Sequence, residues 1–224
     1  MSDAHDHDHD HDRGHEESAS MASRVGALVA KLEAKGIVTH AELDQAVEAF
    51  LMGTQRAGAP ALVARAWVDG AFRARLLADA NAALDELGID MTHWAKVKLR
   101  AVENTEKVHN VIVCTLCSCY PVALLGPSPT WYKSLAYRSR VVREPRAVLA
   151  EFGLELGPGM DVRVWDSTAD LRYVVIPRRP EGTSGLAEAD LAALVTRDAL
   201  IGTAVCVDPP GSSPRAGDVG ARSP

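Results

Sequence analysis

Three of the chain's four cysteines stand within six positions, at Cys114, Cys117 and Cys119 in the run VCTLCSC from 113 to 119. Cys114-x-x-Cys117 on its own is half a zinc site or a redox dithiol. Zinc asks for four nitrogen or sulfur ligands and usually a second CxxC or a histidine pair, and the fourth cysteine, Cys206, is far off and solitary. A redox dithiol ordinarily opens a helix after the first strand of a thioredoxin-like unit, whereas this one follows a helical region. A transition-metal thiolate site is the third possibility. The third cysteine favours it, because Cys117-Ser118-Cys119 places two sulfurs two residues apart. If both bind one ion, the backbone is drawn over it and the amide nitrogens of Ser118 and Cys119 come within reach. Thiolates and deprotonated amides suit a small trivalent ion such as Co(III) or Fe(III) better than Zn(II). Five such ligands leave a sixth position for water or substrate, which makes the centre a Lewis acid.

The elements that must carry this loop are legible from periodicity. The β-branched run His109–Val113 leads straight into the cysteines and reads as a strand. Alternation predicts further strands over 161–166 and 171–176, the second stopped by Pro177. Helices are expected over 145–152 and 186–198, and a last strand over 201–207. Before residue 100 the pattern is helical. Val25, Leu28, Val29 and Leu32 share one face up to Gly36. Thr39-His40-Ala41-Glu42 is a capping box opening a second helix. A third follows over 61–67, and a fourth runs over 71–87 with Gly88 as its C-cap. The fold class is α+β: a helical N-terminal arm over 21–99, then a layered α/β core over 100–207 carrying the cysteine loop.

Both ends have low-complexity composition. Residues 1–20 hold seven carboxylates against Arg13, which accounts for the whole net charge of -6. This stretch and residues 208–224 lack the apolar side chains needed to repay ordering entropy, and disorder is expected in both. The alternating His-Asp tract has weak affinity for transition metals or is a plain solvated tail. No basic stripe with interleaved aromatics points to nucleic acid. No apolar run is long enough to span a membrane, and no signal-peptide pattern opens the chain, so a cytoplasmic protein is expected.

The loop Val113-Cys114-Thr115-Leu116-Cys117-Ser118-Cys119-Tyr120-Pro121 resembles the metal loop of the nitrile hydratase alpha subunit and of the related gamma subunit of thiocyanate hydrolase. The likeness continues through Trp131-Tyr132-Lys133, Tyr137–Arg140, Val142–Arg146, Val164–Ser167, Arg178–Thr183 and Leu194–Gly202. It implies an enzyme whose metal ligands are Cys114, Cys117, Ser118 and Cys119. Cys114 would be the axial thiolate, Ser118 and Cys119 would add amide nitrogens, Cys117 would be a sulfinate and Cys119 a sulfenate. Cys117 and Cys119 would then carry the catalysis. Iron enzymes of the family have Ser where Thr115 stands and usually Thr where Tyr120 stands, so the resemblance implies cobalt as Co3+ rather than iron. It also implies a beta subunit, as one chain or split into two, that hydrogen-bonds the oxidised sulfurs through two arginines. A metallochaperone or activator protein and a small nitrile substrate complete the expected partners.

The likeness departs at Val122-Ala123, where family members commonly read Trp-Pro. A smaller wall there implies a roomier substrate pocket, with a bulky heteroaromatic, nucleoside-like nitrile as one candidate. Two alternatives stand beside nitrile hydration: a thiocyanate hydrolase gamma-type subunit, favoured by a similar His-Asp tail, and a cobalt storage or transfer protein. Trp131, Tyr132, Tyr137 and Trp165 read first as core or interface aromatics. Arg138, Arg143 and Arg146 read as ion-pair or interface residues, with loop support as the functional alternative. His109 reads as packed or exposed rather than ligating, and Cys206 as a small buried hydrophobe.

Overall fold

Two of the four strands form because β-branched residues run together where both faces are covered; the other two keep exposed positions along one face. In a computed structural model, which describes residues 9–55, 58–89, 97–117 and 119–209, β1 (Lys98–Glu103) pairs in parallel with β4 (Leu171–Ile176), and β2 (Val108–Val113) with β3 (Asp161–Asp166). In β2 every residue from His109 to Val113 is buried, the pattern of a strand covered on two sides. Its partner β3 alternates and keeps one face toward the surface. The sheets face each other through β2 and β4. Helices α4 (Gly70–Ala78), α5 (Ala80–Glu86) and α10 (Arg197–Ile201) cover the β1–β4 pair, and α8 (Pro145–Glu151) covers β3. Parallel partners require long crossovers. The one joining β2 to β3 carries the cysteine loop, the short helix α6 (Val122–Leu125), a 3₁₀ turn at Thr130–Lys133, α7 (Leu135–Arg140) and α8.

The chain divides into two compact units, residues 1–52 and 53–224. The smaller contains α1 (His9–Ala34) and most of α2 (His40–Gln55). Thr39 and Glu42 close the expected capping box: the Glu42 N–H donates to Thr39 Oγ1 at 3.2 Å and the Thr39 N–H to Glu42 Oε2 at 2.8 Å. Helix α1 starts at His9 and so takes in part of the His-Asp tract, where composition predicts no structure; residues 1–8 lie outside the described residues, as do 210–224 of the other tail. In the larger unit, α3 (Ala59–Val68), α4 and α5 share one apolar core with the strands through Leu62, Phe72, Leu76 and Leu84. The core therefore reaches back into the stretch that composition assigns to a helical arm.

Three expectations differ from the structure, each for a local reason. The helix expected over 71–87 breaks at Asp79, whose extended backbone ends α4 while its side chain accepts from the Ala82 N–H at 3.1 Å to start α5. The helix expected over 186–198 likewise divides into α9 (Glu188–Ala193) and α10, because Thr196 accepts from the Ala199 N–H at 3.2 Å and caps a new start. No strand forms over 201–207. Gly202 ends α10 with φ 92°, and Val205 and Val207 stay exposed on either side of buried Cys206. Strand β1, by contrast, has no counterpart among the sequence expectations.

Gly202 lies against the middle of β2. A Cβ there would meet the Asn110 carbonyl oxygen at 2.0 Å. Its own carbonyl accepts from His109 Nε2 at 2.7 Å, and His109 Nδ1 faces the Asn104 side-chain amide at 3.3 Å. Burial pushes the His109 imidazole below its ordinary range, the Gly202 bond opposing. His109 is thus a neutral packed strut.

Candidate metal centre

Strand β2 ends at Val113 and delivers Cys114 to the mouth of the sheet, fully buried. The chain then climbs through Leu116, which is 86% exposed, and returns to Cys119, which is 9% exposed. This reversal brings three sulfurs together. Cys114 Sγ lies 3.4 Å from Cys117 Sγ, and Cys117 Sγ lies 3.1 Å from Cys119 Sγ. All three lie within 4.8 Å of one another, and Cys117 is at the open, exposed side. These separations are far beyond the ~2.05 Å of a disulfide. Two sulfurs bound at right angles to one ion, each about 2.3 Å from it, stand ~3.3 Å apart, whereas zinc's tetrahedron puts them at about 3.8 Å. Two of the three sulfur pairs therefore have the spacing of right-angle ligation. Ser118, the expected amide ligand between two of the cysteines, lies outside the described residues.

Burial, then the contact with Cys117, pushes the Cys119 thiol up to about 12, with Arg172 the opposing positive charge. Such a thiol keeps its proton at neutral pH, and a cation sharing the sulfur is what would remove it. The Cys117 N–H points at Cys114 Sγ, 3.3 Å away, a donor that supports negative charge on the buried sulfur.

The loop is braced by side chains far away in sequence. Because Val113 pairs with Asp166 in the β2–β3 register, Asp166 sits beside the first residues of the loop. Its carboxylate accepts from the Thr115 N–H at 2.9 Å and from the Thr115 hydroxyl at 2.5 Å. Arg138 donates through Nε to the Cys114 carbonyl at 3.1 Å and through a terminal nitrogen to the Thr115 carbonyl at 2.9 Å. The buried Tyr132 hydroxyl donates to the Cys119 carbonyl at 3.0 Å, and the Tyr137 hydroxyl to the Ile112 carbonyl at 2.7 Å. Trp131, Tyr132, Tyr137 and Phe152 pack edge to face beneath the loop, with centroids 4.7–6.1 Å apart. Of the three arginines singled out in the sequence, Arg138 is the one that grips the loop. Arg143 bonds Ser139, and Arg146 bonds the turn at Leu156, Gly157 and Met160.

Sequence reasoning gave no role to Asp166 or Arg172. Parallel pairing of β2 with β3 was the signal that could have found Asp166, and one chain's periodicity does not fix a parallel register. Removing the carboxylate has a defined cost. Charge-assisted hydrogen bonds contribute about 1.5 kcal/mol each, less where solvent reaches them. Asp166→Ala is expected to speed loss of bound metal to a chelator by roughly tenfold. A loss rate equal to wild type, followed by elemental analysis over time, would show that the loop holds its shape without Asp166.

The sequence profile of the family described as nitrile hydratase, alpha chain, matches residues 19–204. The low-molecular weight cobalt-containing nitrile hydratase subunit alpha of Rhodococcus rhodochrous is 46% identical over 197 residues, 88% of this chain and 93% of that one. Thiocyanate hydrolase subunit gamma of Thiobacillus thioparus is 46% identical over 153 residues, 64% of this chain and 63% of that one. An iron-type nitrile hydratase from Comamonas testosteroni Ni1, carrying two histidine-to-tryptophan substitutions, superposes with a TM-score of 0.78 at 43% identity, over 91% of this chain and 98% of that one. The matched range spans the strands and the cysteine loop, and the chain belongs to the nitrile hydratase alpha-chain family.

Proposed function

We propose that this chain is the metal-bearing alpha subunit of a cobalt nitrile hydratase, converting a nitrile to its amide with a beta subunit as obligate partner. The observation that carries the reading is the three-sulfur cluster at the end of β2, spaced for right-angle ligation, in a chain of this family. Cys114, Cys117 and Cys119 hold the ion, with the amide nitrogens of Ser118 and Cys119. Bound there, cobalt would supply Lewis-acid activation. Thr115 and Tyr120 favour cobalt over iron, in line with the cobalt-containing relatives. In air, dioxygen oxidises Cys117 to the sulfinate and Cys119 to the sulfenate. The sulfenate oxygen accepts a proton from water as the water oxygen adds to the nitrile carbon. Both protons of that water finish on the nitrogen, which gives the amide. Arg138, Asp166 and Tyr132 keep the loop shaped around the ion. Two arginines from the beta subunit complete the hydrogen bonding of the oxidised sulfurs.

The native complex with its beta partner should contain about one cobalt per chain and release amide from a nitrile. Peptide mass spectrometry should find two added oxygens on Cys117 and one on Cys119. Zinc at full occupancy, or three unmodified thiols in an active sample, would sink the reading. A second reading, thiocyanate hydrolase gamma-type activity, is favoured by the relative from Thiobacillus thioparus and by the His-Asp tail. Carbonyl sulfide release in place of amide formation would establish it.

The pocket beside the loop bears on substrate size. Tyr120, Pro121, Val122, Ala123, Leu99 and Arg172 line a small, mainly apolar recess next to Cys119. With Val122 and Ala123 as its wall, larger nitriles, heteroaromatic ones included, gain room. Val122→Trp overfills this space, at a cost of about 1–3 kcal/mol that falls on the ligand needing it. The expected result is a kcat/KM loss of roughly tenfold or more on a heteroaromatic nitrile and little on a short aliphatic one. Equal losses on both would remove Val122 from the pocket wall.

A further inference from the structure

Donors and acceptors fix one another along a buried chain of side chains that begins at Trp165. Its indole N–H can only donate, and it gives to Asn110 Oδ1 at 2.8 Å. That turns the Asn110 amide nitrogen toward the Glu103 carbonyl at 2.8 Å and Asn104 Oδ1 at 2.9 Å. The Asn110 backbone N–H donates to the same Asn104 oxygen at 2.7 Å. Asn104 is thereby held with its side-chain N–H groups facing His109 Nδ1 at 3.3 Å. The imidazole must accept there. Its one proton therefore sits on Nε2, which meets the Gly202 carbonyl at 2.7 Å.

A second proton, on Nδ1, has no acceptor. It faces the Asn104 amide donor against donor, and turning that amide over would set its N–H groups against two Asn110 donors instead. Solvent protons have access to the ring, because His109 lines a cavity of about 350 Å³ that reaches the exposed Thr105 and Glu181. Arg178, Arg179 and the Cys206 thiol line the same cavity. Arg178 pairs with Glu106 at 3.7 Å, and Arg179 bonds Thr183. Charges on the neighbouring elements are also engaged: Glu103 of β1 with Arg73 at 3.4 Å, and Asp161 with Arg163 at 2.9 Å on either side of Val162, the β3 partner of His109. In α10, Asp198 has Arg197 3.9 Å away. Among the described residues, no carboxylate accepts from the ring.

We propose that His109 is a proton-operated latch between β2 and α10. Neutral, it ties Gly202 to the strand that delivers Cys114. On taking up a proton it releases α10 and the segment that follows. The closed latch excludes the proton and the open one accepts it. The latch therefore contributes its full stability above the ordinary imidazole range and loses it as pH falls below that range.

Hydrogen exchange of residues 200–207 in the assembled complex tests it, since the N–H groups of Gly202, Thr203 and Val207 are bonded there. Expressed as protection, so that the chemical exchange rate cancels, wild type should lose about tenfold between one pH unit above and one below the ordinary value of about 6.5. His109→Gln keeps a neutral N–H for the Gly202 carbonyl and does not titrate, so its protection should change by less than about twofold over that range. Asn104→Asp sets a carboxylate oxygen opposite Nδ1 while its other oxygen still takes both Asn110 donors. The added proton then has an acceptor, and the loss in acid should disappear. No loss in wild type, the same loss in His109→Gln, or an undiminished loss in Asn104→Asp would each overturn the proposal. If His109→Gln fails to assemble, Asn104→Asp decides.

Discussion

Cys114→Ser, prepared with its beta subunit, is expected to hold less than about a tenth of the wild-type cobalt and to lose hydratase activity with it. The reason is the character of this ligand. Cys114 is fully buried at the end of β2, its sulfur sits 3.4 Å from Cys117 Sγ, and a backbone N–H already points at it. A serine hydroxyl is harder, shorter and far more reluctant to give up its proton than a thiol. It leaves a soft-ion site with two sulfurs and a buried polar group. Cys206→Ala is the matched control, since Cys206 is also buried but lies beside Val205 in the segment after α10. It should retain full metal. Elemental analysis and the visible thiolate-to-metal absorption band read both variants. Full cobalt in Cys114→Ser would remove Cys114 from the ligand set.

Gly202→Ala carries the largest expected loss of stability. At φ 92° an alanine is strained by about 1 kcal/mol or more. The larger cost is steric, because the new Cβ meets the Asn110 carbonyl oxygen at 2.0 Å and Val111 Cα at 2.8 Å, both backbone atoms of β2. One of two packed elements must move, and the His109 bond to the Gly202 carbonyl goes with it. A total of about 3–5 kcal/mol follows, equivalent to a fall in Tm of roughly 10 °C for a chain of this size. Gly182 supplies the comparison. Its φ is 74° but nothing lies within 4 Å of an added Cβ, so Gly182→Ala should lose only about 1 kcal/mol. Similar small losses in both variants, by thermal unfolding of the assembled complex, would mean α10 does not press on β2 as described.

The sequence is informative about this protein in proportion to how local each feature is. The three clustered cysteines stand within six consecutive positions, so the chemistry they suit reads directly from the chain. Strands β2, β3 and β4 announce themselves through β-branched runs. Strand β1 does not, because Lys98 and Arg100 interrupt it and only pairing with β4 makes it a strand. The breaks at Asp79 and Thr196 are single capping side chains inside stretches of helical periodicity, and periodicity outvotes one residue. Val205 and Val207 imitate a strand, but α10 ends on β2 at Gly202 and the Val207 N–H donates to the Leu194 carbonyl at 3.1 Å. The braces of the loop are hidden for the same reason: Asp166 is 51 residues from Thr115, and Arg138 is 24 from Cys114.

That separation between ligands and braces bears on how the protein acquires its metal. Three sulfurs in a six-residue segment can chelate a soft ion while the chain is still unfolded, at a stage when no strand has paired. Zinc or copper met during synthesis can therefore occupy the thiols before the shape that selects among metals exists. Ion bound by the unfolded chain also does less to stabilise the folded one, because only the difference in affinity between the two states counts. The side chains that brace the loop, Tyr132, Arg138 and Asp166, all come from later in the chain, Asp166 from β3 itself. Correct metallation is thus a problem of timing as much as of affinity. A cell that keeps free zinc and copper scarce near the nascent chain, or withholds cobalt until the crossover has folded, solves it.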